Sequence, residues 1–203
     1  MKIPQPIRHH LRCRVSHASF VLLGAAIPIV AFSLLLAANG LSDSIPGGPS
    51  MTLTISSSSF RNGGTIPKKY TCDAADVSPH LAWTEPPAAT KTFALLVDDP
   101  DAPVGNWNHW TMWNLPPSLR GLAEGVSKEA RLPDGTEQGR NDFRKTGYNG
   151  PCPPPGKPHH YVFKLFALDA SLGLKSGSGN KDLEAVMKGH ILAQSEWMGT
   201  YGR

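Results

Sequence analysis

The sequence predicts a mainly β domain behind an N-terminal apolar leader. Three observations support this fold class. The chain contains 20 Gly and 19 Pro in 203 residues, which divide most of it into short runs. Several of these runs are rich in β-branched and aromatic residues, as strands are. A basic stretch followed by a long apolar run occupies the N-terminus, and the length suits one domain plus such a segment.

The leader, residues 1–40, has the residue order of a secretory signal: a positive stretch, an apolar run at 18–38 and then small residues. The apolar run is about as long as the roughly 20 residues that span a bilayer, so a cleaved signal peptide and a retained transmembrane signal anchor both stay open. The positive flank favours a cytoplasmic N-terminus and an exported domain. We therefore expect a periplasmic or secreted protein, held at the inner membrane if the leader is retained.

The charge of the chain is concentrated in this leader. Four of the 20 Lys and Arg residues lie there, which leaves 16 against 16 acidic residues in the remainder. A formally neutral domain lacks the basic surface that nucleic acid binding requires, so we exclude nucleic acid as a partner.

Residues 41–50 are rich in Ser, Gly and Pro and predict a flexible linker, so that the folded domain covers 51–203.

The predicted strand Thr92–Asp98 is apolar almost throughout, which indicates burial on both faces. The predicted strands are Thr52–Ser56, Leu81–Thr84, Thr92–Asp98, His109–Leu115, Tyr161–Asp169 and Ile191–Tyr201.

One helix is predicted, from Lys181 to Lys188. Asn180 is its expected N-cap, Asp182 favours the positive end of the helix, and Gly189 is a suitable stop.

Cys72 and Cys152 are the only cysteines of the predicted domain, since Cys13 lies in the leader. An exported domain sits where disulfides persist, which favours a bridge between them. Two buried thiols remain the alternative, because the sequence does not give the distance between the two residues.

Three polar segments stand out as candidates for chemistry. Asp99 follows a buried strand, His109 lies in a second segment, and His159 and Tyr161 end a long Gly- and Pro-rich loop. Strand periodicity allows these side chains to converge at one rim of a sheet. Imidazole and phenol groups donate hydrogen bonds to an anion, and a nearby carboxylate can fix a histidine tautomer.

Each segment has an ordinary structural explanation when taken singly. An Asp before Pro commonly forms a turn, and a His beside Trp is commonly packed. His160 points away from His159 and is expected at the surface. Trp107 and the other tryptophans are expected in the core or in a pocket wall. The functional interpretation therefore depends on the segments occurring together.

Together, these segments resemble the bacterial branch of the phosphatidylethanolamine-binding family, which also includes the Raf kinase inhibitor proteins. The resemblance covers roughly Leu53 to Arg203. The matching stretches are TCDAADVSPHLAWTEPP, DDPDAP, NHWTMWNLP, GRNDFRKTGYNGPCPPPGKPHHYVFKLFALD and GHILAQSEWMGTYGR.

The resemblance implies two antiparallel sheets with a few short helices, and a small anion pocket at one end. Eukaryotic relatives add an aromatic residue, for which Trp107 is the candidate here, and a C-terminal helix with no counterpart after the last strand, which implies a more open pocket. The residues that match the family's pocket motifs are Asp99, His109, His159 and Tyr161, together with Gly150, Pro153 and Pro154 of the loop.

The expected function is non-catalytic binding of a phosphate-type anion, or of a phosphorylated or lipid head group, without cofactor or metal. The alternative is a protein-interaction module that inhibits a protease or a signalling partner, presenting the loop at 151–158. A hydrolase using Asp99, His109 and His159 as acid–base groups is disfavoured, because the sequence has no G-x-S-x-G elbow and no HExxH helix. Membrane contact is expected only through an uncleaved leader.

Overall fold

The computed structural model describes residues 52–175 and 177–203. The predicted leader and linker, with Cys13, lie outside the described residues. Within the described ranges, no helix combines the length and the apolar character needed to cross a bilayer.

In these ranges the chain forms two sheets in which all paired strands are antiparallel. The elements are β1 (Ile55–Ser56), a 3₁₀ turn (Lys68–Tyr70), β2 (Leu81–Trp83), β3 (Thr92–Asp99), β4 (Trp107–Leu115), β5 (Gly121–Leu122), β6 (Glu137–Gln138), β7 (His159–Leu168), α1 (Asn180–Met187) and β8 (Ile191–Tyr201). The larger sheet has the order β6-β4-β3-β7-β8 and the smaller one the order β1-β2-β5. The predicted mainly β class with two antiparallel sheets is confirmed for this part of the chain.

The central strand β3 is buried along its whole length because both of its faces are covered. Phe93, Leu95 and Val97 belong to a core that also contains residues of the smaller sheet. Ala94 and Leu96 alternate with them and pack in a second core with residues of α1. Each fully buried large apolar side chain contributes about 1.5–3 kcal/mol, so the continuous apolar run stabilises two interfaces at once.

Strand β7 also follows the predicted alternation, since Tyr161, Phe163, Leu165 and Ala167 are all buried on one face. It begins two residues earlier than expected, at His159, because pairing with Tyr201 of β8 extends to that point.

Strand β4 likewise begins at Trp107 rather than His109, because Trp107 pairs with Asp99 at the end of β3. Both extensions bring polar residues into regular strands, where side chains hold fixed directions.

The predicted helix is present, but its N-cap is Gly179 and not Asn180, so that part of the prediction is wrong. Asp182 explains the difference, because its carboxylate accepts a hydrogen bond from the Gly179 N–H at 3.0 Å. This contact places the N-cap at Gly179, one residue before Asn180, although Asn is the residue type preferred at an N-cap.

Candidate functional site

A cavity of about 180 Å³ opens where the end of β3 meets the starts of β4 and β7. Antiparallel pairing causes this meeting, since the last residue of β3 lies beside the first residues of its two neighbours. The lining residues are Asp99, Ala102, Pro103, Val104, Trp107, His109, Phe143, Cys152, Pro153, Pro154 and His159.

A β-bulge positions His109 at this cavity. Trp110 opposes Val97 and Asn108 opposes Asp98, which leaves His109 as the extra residue on β4. Bulges commonly turn a side chain out of the regular alternation next to functional sites. His109 therefore reaches the cavity although it belongs to a buried strand.

Asp99 and His159 form a buried pair in the lining of the cavity. His159 Nδ1 lies 2.8 Å from the Asp99 Oδ2 and donates to it. The other carboxylate oxygen, Oδ1, accepts the Asp101 N–H at 2.9 Å. Because both oxygens are engaged, the carboxylate is held in place and in turn holds the His159 ring.

His109 is 2 % exposed, and its Nδ1 lies 2.7 Å from the Asn149 carbonyl oxygen. Burial lowers the pKa of His109, against weaker opposing effects of the Asn149 carbonyl and of the Asp99 charge. The ring is therefore neutral near neutral pH, with its proton on Nδ1.

Tyr161 lies behind His109, with ring centroids 5.2 Å apart and the ring planes nearly perpendicular. It is buried, it is not part of the cavity wall, and its hydroxyl has no hydrogen-bond partner among the described residues. Burial, and then the negative charge of Asp99, raises the pKa of Tyr161 well above its ordinary value, so the hydroxyl keeps its proton.

The walls of the cavity are apolar. Phe143 packs edge-on against Trp107, with centroids 5.5 Å apart, and against His109 at 5.1 Å. Pro153 and Pro154 line the wall as well. Sequence reasoning missed Phe143, although a lone aromatic residue inside an otherwise polar loop was a signal that could have identified it.

Gly150 does not face this cavity. Its N–H donates to Asp76 Oδ1 at 2.6 Å, and it lines an adjoining cavity that contains Asp76 and Asn149. A Cβ at this position would lie 2.0 Å from the Tyr70 carbonyl oxygen. Gly150 therefore lets the loop pack closely against the 3₁₀ turn, and its N–H is already used within the protein.

Two ties hold the loop that carries Pro153. Cys72 and Cys152 form a disulfide with their Cα atoms 5.4 Å apart, and Cys152 contributes to the cavity wall. Arg203 Nε donates to the Pro153 carbonyl oxygen at 2.7 Å. The Pro-rich wall is therefore anchored from two sides.

The other histidines of the described residues lie elsewhere. His160 donates to Asp101 at 2.6 Å on the exposed side of β7, as its strand position predicted. His80 contacts Ser58, and His190 contacts Asp169. No group of three or more His, Cys, Asp or Glu residues within the described ranges is arranged to hold a metal ion.

Comparison with known proteins identifies the relatives of this chain. The family model described as phosphatidylethanolamine-binding protein matches residues 56–202. A UPF0098 protein of Aquifex aeolicus is 48% identical over 153 residues, which cover 74% of this chain and 89% of the relative. A UPF0098 protein of Pyrococcus horikoshii is 41% identical over 198 residues, covering 93% of this chain and 98% of the relative.

The crystal structure of E. coli YbcL, described as a new member of the mammalian PEBP family, superposes with a TM-score of 0.70. It is 34% identical, and the match covers 74% of this chain and 98% of YbcL. The family model spans most of the chain, and sequence and fold agree on the assignment. The chain therefore belongs to the phosphatidylethanolamine-binding protein family.

Proposed function

We propose that the cavity binds a phosphate-type anion, free or as the head group of a phosphorylated molecule, without covalent catalysis. The observation that carries this proposal is the convergence of Asp99, His109 and His159 from three strands on one cavity. A few polar groups set among apolar walls are typical of small-molecule sites.

The size of the cavity limits the ligand. Its volume of about 180 Å³ is below the roughly 300–1,000 Å³ of sites that enclose drug-sized molecules. A single oxyanion group fits such a space, and any larger part of the ligand extends beyond the cavity towards solvent. A phosphorylated head group presented from outside meets both conditions.

The lining residues support binding without a covalent step. They include no Ser, Thr or Lys, and their one cysteine, Cys152, is held in a disulfide. Covalent catalysis uses an activated hydroxyl, thiol, amine, carboxylate or imidazole. The Asp99 carboxylate is occupied on both oxygens, which leaves His109 and His159 as the nucleophiles that the lining offers. We propose that these rings bind the anion and do not react with it, so we expect no turnover of a generic phosphoester by the purified protein.

The proposal is tested by calorimetric titration of the protein with inorganic phosphate. A charge-assisted hydrogen bond contributes about 1.5–3 kcal/mol, so His159→Ala should weaken binding by roughly tenfold or more. His190→Ala is the matched control, since that histidine pairs with Asp169 away from the cavity. Absence of saturable binding at millimolar phosphate, or equal affinity in both variants, would contradict the proposal.

The alternative, a protein-interaction role, has one supporting observation. The loop at 154–158 is exposed throughout, and Val104 at the cavity rim is 76 % exposed. These surfaces are accessible to a partner protein. Co-purification from the native host distinguishes the two, because a stable partner without bound anion favours this alternative.

We also propose that the protein acts outside the cytoplasm. The basic and apolar order of residues 1–40 supports export, and the Cys72–Cys152 disulfide suits an oxidising compartment. Cell fractionation, together with sequencing of the N-terminus of the isolated protein, tests this and decides between cleavage and retention of the leader. Recovery of the protein in the cytoplasmic fraction would contradict it.

A further inference from the structure

The two cavity histidines share a feature that determines what they offer to a ligand. The Nδ1 of His109 faces the Asn149 carbonyl oxygen at 2.7 Å, and the Nδ1 of His159 faces the Asp99 carboxylate at 2.8 Å. A carbonyl oxygen only accepts hydrogen bonds, and so does an ionised carboxylate. Each Nδ1 must therefore carry the proton.

Burial disfavours the charged form of His109, and a neutral imidazole has one N–H, so the Nε2 of that ring is a bare acceptor, as is the Nε2 of His159 whenever its ring is neutral. Within the described residues, the hydrogen bonds that meet the geometric criteria at these rings are made at Nδ1, and the Gly150 backbone acts on the pKa of His109 as a weaker acceptor than the Asn149 carbonyl. With Asp99 beside them, the polar part of the cavity lining consists of acceptors and one negative charge.

The charged groups around the two rings do not change this excess of acceptors in the cavity lining. Asp98 is paired with Lys164 on the other face of β3, and Arg203 is engaged by Asp73 and the Pro153 carbonyl. The titratable and charged groups near the two rings are Asp98, Asp99, Asp101, Tyr161, Tyr201 and Arg203.

We propose that the cavity binds its oxyanion together with one proton, so that a phosphate ester that still carries an acidic hydrogen binds in preference to a fully deprotonated oxyanion. This rests on the proposed function. A deprotonated oxyanion would place its lone pairs against those of Nε2 and against the Asp99 charge. The P–O–H group of a phosphate monoester monoanion instead donates to Nε2.

The proton can instead come from solvent, by protonation of a histidine ring. Binding by this route also takes up one proton. Burial lowers the pKa of His109 and makes this way unfavourable at that residue. The ligand's own proton is then the preferred source. In either case the affinity depends on pH.

Methyl phosphate and methyl sulfate are matched probes, because their monoanions share size, shape and charge and differ in the P–O–H group. The second pKa of a phosphate monoester is about 6. Calorimetry in buffers of different ionisation heat should show uptake of about one proton per methyl phosphate bound near pH 8. Its affinity should fall by about tenfold per pH unit above that pKa, and near pH 6 it should exceed that of methyl sulfate by about tenfold or more.

The outcomes separate the two proposals. Methyl phosphate binding without proton uptake and with an affinity independent of pH would overturn this inference and leave the proposed function standing. Equal affinities of the two esters near pH 6 would overturn it as well. No binding of methyl phosphate at any pH would reject the proposed function itself.

Asp99→Asn tests the tautomer directly. The Asp101 N–H needs an acceptor, so the amide oxygen of the variant side chain takes the place of Asp99 Oδ1. The amide N–H₂ then takes the place of Oδ2 and faces His159 Nδ1. His159 must then accept at Nδ1 and carry its proton on Nε2, where it donates to the ligand. We expect proton uptake to fall, the preference for methyl phosphate over methyl sulfate to shrink, and the ¹⁵N shifts of the ring to exchange their characters.

Asp101→Asn is the control for the loss of one negative charge, since that carboxylate contacts exposed His160 and not a cavity ring. It should leave proton uptake and ester preference unchanged. If wild-type His159 already shows a protonated Nε2 and a bare Nδ1 in its ¹⁵N spectrum, the inference is wrong, whatever the variants do.

Discussion

Asp99 organises the site at the scale of single residues. One oxygen fixes the turn that follows β3 and the other fixes the His159 ring. His109 is fixed instead by a backbone carbonyl, that of Asn149. The two histidines are thus oriented by different elements yet present the same ring edge.

Burial of His109 predicts a pH dependence of stability. Its pKa is lowered by burial from an unfolded value of about 6.5, so the unfolded chain takes up the proton first as the pH falls. The stability that the neutral ring contributes is present above that pH and is lost below it. Denaturation curves at about pH 7 and pH 5 should therefore differ more for the wild type than for His109→Gln.

The carboxylates with lowered pKa values do not account for the expected difference in stability between pH 7 and pH 5. Hydrogen bonds from Tyr201, His160 and Lys69 lower the pKa values of Asp73, Asp101 and Glu124, respectively, so these groups gain protons only at more acidic pH. An equal loss of stability in wild type and variant would show that His109 is not the group responsible.

The tight packing of Gly150 gives a second prediction at this scale. A Cβ there would lie 2.0 Å from a backbone oxygen, so Gly150→Ala should lower the free energy of unfolding by about 1–3 kcal/mol. Gly173→Ala is the matched control, since no atom lies within 4 Å of its Cβ position. Chemical denaturation measures both, and equal effects would contradict the account of the loop.

At the scale of elements, antiparallel pairing builds the site. The end of β3 adjoins the starts of β4 and β7, and the bulge at His109 turns that residue towards the cavity. The loop at 139–158 then covers the strand ends, held by the disulfide and by Arg203.

The disulfide joins residues 80 positions apart, so its removal frees a long segment of the unfolded chain. We expect the double variant Cys72→Ser, Cys152→Ser to lose about 2–5 kcal/mol of unfolding free energy. Reduction of the wild type by a dithiol should reproduce the loss, which denaturant titration measures. Unchanged stability after confirmed reduction would show that the loop is held without the bond.

The sequence predicts the long elements well because their signals are local. The apolar run of β3 and the alternation of β7 determine which faces are buried, and β8 begins and ends at the residues expected. The two-residue strands β5 and β6 carry no such signal, because they exist only through pairing with distant strands.

The site is predictable to a similar extent. Asp99, His109 and His159 share one cavity, but the sequence does not show that Gly150 turns its N–H to Asp76 or that Tyr161 lies behind the wall. Phe143 was missed for the same reason. These details depend on how the loop docks on the strands, which is a tertiary contact without a local pattern.

At the scale of the molecule, over the residues that the structure describes, the five-stranded sheet contributes to both cores and also carries the site. Its central strand β3 is covered on both faces, and its polar strand ends lie at one rim under a loop fixed by a disulfide. A cavity that such a framework forms in advance suits the proposed binding function, because less ordering is then needed when a ligand binds.

The most direct test of anion binding in the cavity is an NMR titration with phosphate that follows the histidine ring signals. We expect saturable shifts of His109 and His159, and none for His190, whose ring is hydrogen-bonded to Asp169 outside the cavity. Shifts confined to exposed histidines, or no shift at millimolar phosphate, would contradict it.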